Sequence, residues 1–172
     1  FSDMVDHAGD MTPGNGDAVV TTSGTDGLKK VNLGMATCYE VVFDGAFRNA
    51  VNNGATMLAT PTNNATFGFT DMTYQQLAMS RMRAMEYQRA TAVAATSGVS
   101  AIVDAHGDVV KQSKIFEQKV LTETLPQYSH LTFAARFGTW IEGLLTAFGI
   151  LCVVGAVLRR RGKDARAGAD EV

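Results

Sequence analysis

The chain is poor in the residues from which stapled and metal-bound folds are built. Its 172 residues include two cysteines, Cys38 and Cys152, and three histidines, His7, His106 and His130. Two cysteines make no disulfide framework. Isolated histidines at no ligand spacing exclude a zinc site built on His and Cys, so no metal and no cofactor is expected. There is no excess of one charge either. Fifteen Lys and Arg stand against 17 Asp and Glu, a net charge of −2, which removes the electrostatic footprint of a nucleic-acid binder. The first residue is Phe1, and Phe1–Asp10 lacks the basic and apolar regions of a signal peptide. The expectation is a piece of a longer protein that begins inside a domain. Apolar residues, in contrast, are plentiful at 46%. A globular chain of this length buries roughly 68–70% of its unfolded surface without any staple.

The charge is unevenly distributed. Residues 1–139 carry ten basic and thirteen acidic side chains, whereas 140–172 read as an apolar run followed by a basic tail. From Trp140 to Leu158 the sequence is WIEGLLTAFGILCVVGAVL, whose last 16 residues are uncharged. As a helix these 19 residues extend about 28 Å, close to the roughly 30 Å of a bilayer's hydrocarbon. Trp140 suits one headgroup level, and Arg159, Arg160, Arg161, Lys163 and Arg166 follow the other end. The positive-inside rule then makes 140–158 a transmembrane helix, 159–172 a basic cytoplasmic tail and 1–139 an extracytoplasmic domain. Glu142 falls within the first turn, where its carboxylate can reach the interface. Gly143, Ala147, Gly149, Cys152, Gly155 and Ala156 permit close approach of a partner helix.

The external segment reads as α/β. Asp3–Gly16 has loop composition, and Ala18–Thr22 and Val31–Thr37 are short strands joined by Ser23–Gly27, whose Asp-Gly step favours a hairpin turn. Phe43, Phe47, Ala50 and Val51 recur at helical spacing, with Asp44 as a capping residue and Asn52-Asn53-Gly54 as the stop. Thr56–Thr60 is a buried strand closed by Pro61, and Thr62–Asp71 is a polar loop. Thr73–Ala90 is the strongest helix, with Leu77, Ala78, Met82 and Met85 near one side and the methionines as core filler. Thr91–Thr96, Val99–Asp104, Val109–Gln112 and Val120–Leu125 have strand character. Strand and helix alternating in this way specify a layered α/β domain.

Cys38 stands where the second strand ends and a helix is about to begin. A sharp strand-to-helix turn projects a nucleophile and leaves the next backbone N–H, that of Tyr39, free to stabilise an oxyanion. A helix start also favours thiolate over thiol. On this local pattern a catalytic cysteine and a small buried one are both open.

A longer succession of segments narrows the choice. Cys38-Tyr39-Glu40 after an apolar strand is followed by Gly54-Ala55-Thr56-Met57-Leu58-Ala59-Thr60-Pro61-Thr62-Asn63-Asn64-Ala65-Thr66-Phe67-Gly68. Next come Arg81-Met82-Arg83-Ala84-Met85-Glu86, Thr96-Ser97-Gly98-Val99 and Leu131-Thr132-Phe133-Ala134-Ala135-Arg136-Phe137-Gly138, and then the apolar run. Over residues 9–158 this order resembles the C-terminal half of a nitrilase-superfamily (carbon–nitrogen hydrolase) domain. Its membrane branch, the apolipoprotein N-acyltransferases, is the most similar part. The resemblance implies half of an αββα sandwich followed by one transmembrane helix, in a bacterial plasma membrane. It further implies a ping-pong acyl transfer. Cys38 takes an acyl chain from a phospholipid as a thioester and passes it to the N-terminal amine of a diacylglyceryl apolipoprotein. Glu40 matches an acidic position beside the nucleophile, Tyr39 supplies an oxyanion N–H, and Asn63, Asn64 and Phe67 lie in a loop bordering the substrate pocket. Thr66 stands where the family commonly has tryptophan, and Asn64 where it has aspartate. The superfamily's Glu base and Lys oxyanion partner precede the matching segment, so the resemblance implies an incomplete, inactive C-terminal fragment whose N-terminal half lies elsewhere. Two alternatives remain at this level: an amidase half with a membrane anchor, and a non-enzymatic membrane-anchored remnant.

Overall fold

A computed structural model describes residues 16–22 and 30–169, with side chains placed up to residue 160, as two compact units divided after His130. The first unit is built on one six-stranded sheet whose strands lie side by side in chain order: β1 (Val19–Thr22), β2 (Val31–Met35), β3 (Met57–Thr62), β4 (Thr91–Ala95), β5 (Ala101–Val103) and β6 (Val109–Gln112). The α/β class read from the sequence is present, and of the sandwich the described residues hold a single sheet. β2, β3 and β4 are parallel, and β1, β5 and β6 are antiparallel to their neighbours. The parallel strands require crossovers. The first contains a 3-10 helix, Cys38–Val42, and then α1, Asp44–Asn52; the second contains α2, Met72–Tyr87. The Ser23–Gly27 turn and the loop up to Asn15 lie outside the described residues; β1 and β2 pair antiparallel.

Both helices cover the same face of the sheet. Gly34, Leu58, Thr60, Thr91, Val93, Ala101 and Val103 form that face in register and are buried. Gly34 is glycine because α1 approaches closely: a Cβ there would sit 2.8 Å from Ala50 Cβ and 3.0 Å from Ala55 Cβ. Leu77 and Ala84 of α2 pack on Val93, Val99, Ala101 and Val103. The opposite face, with Leu33, Met35, Met57, Ala92 and Ile102, is only half buried. Arg89 is 1% exposed, and its guanidinium donates to the carbonyls of Ala55, Tyr87, Gln88 and His130. It ties the irregular stretch after β6 to the segments that lead into β3 and β4.

Four expectations are corrected. Pro61 does not close β3, which runs on to Thr62. Leu58 N–H bonds toward β4 and Ala59 C=O toward β2, so the missing donor of Pro61 faces the β2 side, where β2 has already ended. Met82, Met85 and Ala78 are not core: Met82 is 63% and Met85 49% exposed. The buried stripe of α2 is instead Thr73, Gln76, Leu77, Ser80, Ala84 and Tyr87. Val120–Leu125 forms no strand; it is linked to β6 through a side chain, Lys111 Nζ donating to Thr122 C=O and pairing with Glu123. Asp44 is not the N-cap, a place that Phe43 takes; it is the first residue of α1 and its carboxylate pairs with Arg83 and Arg48.

The second unit contains α3, Phe133–Ala169. Residues 133–160 are long and apolar enough to cross a membrane by length and composition. Trp140, Leu144, Phe148, Leu151 and Leu158 are all exposed along it. The helix begins before the expected 140–158 span and continues into the basic segment without a break.

Candidate active site

The carboxyl ends of the three parallel strands converge, which is where open α/β sheets hold their ligands. β2 leads to Cys38, β3 ends at Thr62 and continues into Asn63 and Asn64, and β4 leads to Ser97. Cys38 opens the 3-10 helix with a left-handed φ of 52°, a conformation that costs a non-glycine residue roughly 1–2 kcal/mol. Such strain persists only where neighbouring structure enforces it. At the front of the turn Glu40 accepts a hydrogen bond from the Thr37 N–H at 2.7 Å. Glu40 is exposed and faces the turn's own backbone.

The half-buried sulfur of Cys38 is ringed by donors. Gln76 Nε2 donates to Sγ at 3.6 Å from the buried stripe of α2. Thr62 Oγ1 carries one hydrogen with three acceptors in reach: the sulfur, Asn64 Oδ1 at 2.9 Å and Gln76 Oε1 at 3.1 Å. The Thr62 hydroxyl lowers the thiol pKa most, partial burial opposes it, and Gln76 with the backbone N–H groups of Tyr39 and Asn63 adds to the lowering. The net effect favours thiolate below the ordinary thiol range. Every one of these partners is neutral.

The residues expected at the site divide into three groups. Tyr39 and Asn63 meet the sulfur through backbone N–H, while the Tyr39 ring points outward, 58% exposed, with its centroid 6.3 Å from that of Phe43. Asn64 is buried behind Thr62, and Gly98 backs it so closely that a Cβ there would come within 2.9 Å of the Asn64 side chain. Asn63 Oδ1 accepts from Ser97 Oγ and from Ala65 N–H, shaping the loop. Phe67 is half buried on the 3-10 turn Ala65–Phe67. Gln76 and Thr62 were not singled out by sequence. For Gln76 the signal is the run of polar residues Thr73, Gln76 and Ser80 at helical spacing beside Leu77 and Ala84, a stripe too polar for a core and too regular for a solvent face.

Residues 3–132 match the carbon-nitrogen hydrolase family. The apolipoprotein N-acyltransferase of Mycolicibacterium smegmatis is 37% identical over 158 residues, 92% of this chain and 25% of that protein. The apolipoprotein N-acyltransferase of Shewanella oneidensis is 35% identical over 126 residues, 73% of this chain and 24% of its own length. The chain thus spans about a quarter of the length of these curated relatives. Among solved structures, Saccharomyces cerevisiae Nit3, of the nitrilase superfamily, aligns with a TM-score of 0.49 and 20% identity over 63% of this chain and 40% of its own.

Proposed function

Because the chain belongs to the carbon-nitrogen hydrolase family, we propose that it carries the nucleophile-bearing part of an apolipoprotein N-acyltransferase, with Cys38 as the acyl acceptor and donor. The observation that carries this is the sulfur itself, held in a strained turn at the carboxyl ends of parallel strands and surrounded by donors that favour the thiolate. The thiolate attacks the ester carbonyl carbon of a phospholipid. As the C–S bond forms, the carbonyl electron pair moves to oxygen, where the Tyr39 N–H donates to it. Collapse restores the carbonyl and expels the glycerol oxygen, which takes a proton and leaves as lysophospholipid. The neutral N-terminal amine of a diacylglyceryl apolipoprotein then attacks the thioester. A C–N bond forms, the thiolate departs, and the nitrogen loses its proton.

Both proton transfers need an acid–base group. Thr62, Gln76 and two backbone amides cannot supply it, so it is not among the described partners of the sulfur. In this scheme Glu40 serves by holding the turn, Asn64 by orienting Thr62, and Asn63 and Phe67 by bordering the pocket. The long apolar helix favours a lipid-using enzyme over a soluble amidase.

Residues 1–172 alone are expected to transfer no acyl chain from phospholipid to a diacylglyceryl lipopeptide in detergent, whereas the enzyme that contains them does so in a Cys38-dependent manner. A product detected by mass spectrometry with the 172-residue chain alone would show that the catalytic set has been misassigned.

Residues 133–160 are proposed to span the plasma membrane, with the basic C-terminus in the cytoplasm and the sheet unit outside. In intact cells and a background lacking Cys38 and Cys152, an impermeant thiol reagent is expected to label Thr25→Cys and to spare Ala167→Cys. The reverse pattern would remove the sheet unit from the compartment where lipoproteins are acylated.

A further inference from the structure

The Arg81–Glu86 segment of α2 contains two arginines whose contacts differ. Arg81 Nε donates to the Gly107 carbonyl at 2.7 Å, on the β5–β6 side. Arg83 reaches the nucleophile turn: its Nε donates to Val41 C=O at 2.9 Å and its Nη2 to Val42 C=O at 2.5 Å, the last two carbonyls of the 3-10 helix that Cys38 opens. The guanidinium is itself fixed on both sides, by Glu86 one turn along α2 and by Asp44 at the start of α1. A planar fork with donors in set directions is suited to holding two successive carbonyls, and an ammonium is not. The turn is therefore pinned at its front by Glu40 on Thr37 and at its back by Arg83 on Val41 and Val42.

We propose that Arg83 is a positioning residue for the nucleophile: by clamping the Val41 and Val42 carbonyls it keeps Cys38 in its left-handed conformation, with the sulfur beneath Gln76 and Thr62. The proposal rests on Cys38 being the nucleophile. It explains why one helix serves both sides of the site, since α2 supplies Gln76 to the sulfur and, two turns later, Arg83 to the backbone that carries the sulfur.

The test is the pH dependence of Cys38 alkylation by iodoacetamide in the full chain in detergent, with Cys152→Ser leaving a single thiol. The parent chain is expected to react faster at pH 7 than a free thiol. In Arg83→Ala the rate at pH 7 should fall about tenfold, the size expected of residues coupled through one hydrogen-bonded network. The alkylation midpoint should move upward. Arg81→Ala, which removes an arginine of the same helix that does not touch the turn, should stay within about twofold of the parent. Millimolar guanidinium should restore much of the lost rate to Arg83→Ala, which a general loosening of the fold would not permit. If Arg83→Ala loses its far-UV dichroism, Arg83→Lys decides, since it keeps the charge but can pin only one carbonyl and should still lose several-fold. A folded Arg83 variant with the parent's profile would overturn the proposal. If the parent's Cys38 already titrates as an ordinary thiol, it is the assignment of the nucleophile that fails.

Discussion

In the acyltransferase proposed to contain this chain, Cys38→Ser is expected to fold and insert normally while its turnover falls on the order of 10³-fold or more. A serine hydroxyl has nearly the shape of the thiol, so the turn, its left-handed φ and the burial of Val41 and Phe47 need not change. Ionisation does change. An ordinary thiol holds a few per cent thiolate at neutral pH, and Gln76, Thr62 and two backbone N–H groups raise that share at Cys38. The donors that suffice for a thiolate leave a serine hydroxyl protonated, because no basic side chain among the described residues touches this atom to take its proton. Cys38→Ala should lose the remaining activity, and Cys152→Ala, in the exposed apolar helix, should lose none. Equal activity in Cys38→Ser and the parent would mean that the chemistry does not pass through this sulfur.

Gln76→Glu should slow alkylation of Cys38 at pH 7 on the order of tenfold to a hundredfold and move its midpoint to higher pH. Gln76 is 5% exposed and brings its Nε2 to the sulfur at 3.6 Å. A carboxylate of the same shape replaces that donor with an oxygen and, when ionised, sets a like charge against the thiolate in a partly desolvated place, where charge interactions are strong. The sign follows from both changes, since each favours the neutral thiol. Gln76→Met removes the donor without adding charge and should have a smaller effect in the same direction. Circular dichroism separates a folded, slowly reacting variant from an unfolded one. A rate unchanged in folded Gln76→Glu would show that the amide does not govern the thiol.

The elements that the sequence made legible are those with local signals. α1 lies within a residue or two of its apolar spacing and its Asn52-Asn53-Gly54 stop, and Cys38 falls at the strand-to-helix turn that its neighbours specify. The parallel pairing of β2, β3 and β4 follows from the helices between them. What escaped detection depends on partners distant in sequence. Gln76 is 38 residues from Cys38, and Arg83 is 42 residues from the Val41 carbonyl it holds. In α2 the buried stripe mixes Thr73, Gln76 and Ser80 with Leu77 and Ala84, so a search for the apolar face favours Met82 and Met85, which turn outward. Of these, Gln76 is buried where it meets the Cys38 sulfur and Thr62, a requirement that hydrophobic periodicity does not encode. Pro61 misled for a related reason. A proline ends a strand only where the neighbouring strand needs its N–H, and beyond Met35 no β2 residue does.

The most direct test of the account is to incubate the enzyme containing these residues with phospholipid alone, quench it, and map the acylated peptide by mass spectrometry. The first half of a ping-pong transfer needs no acceptor, so one acyl group should accumulate, removable by neutral hydroxylamine, on the peptide carrying Cys38. An acyl chain mapped to any other residue, or none formed while the complete reaction proceeds at its normal rate, would contradict it.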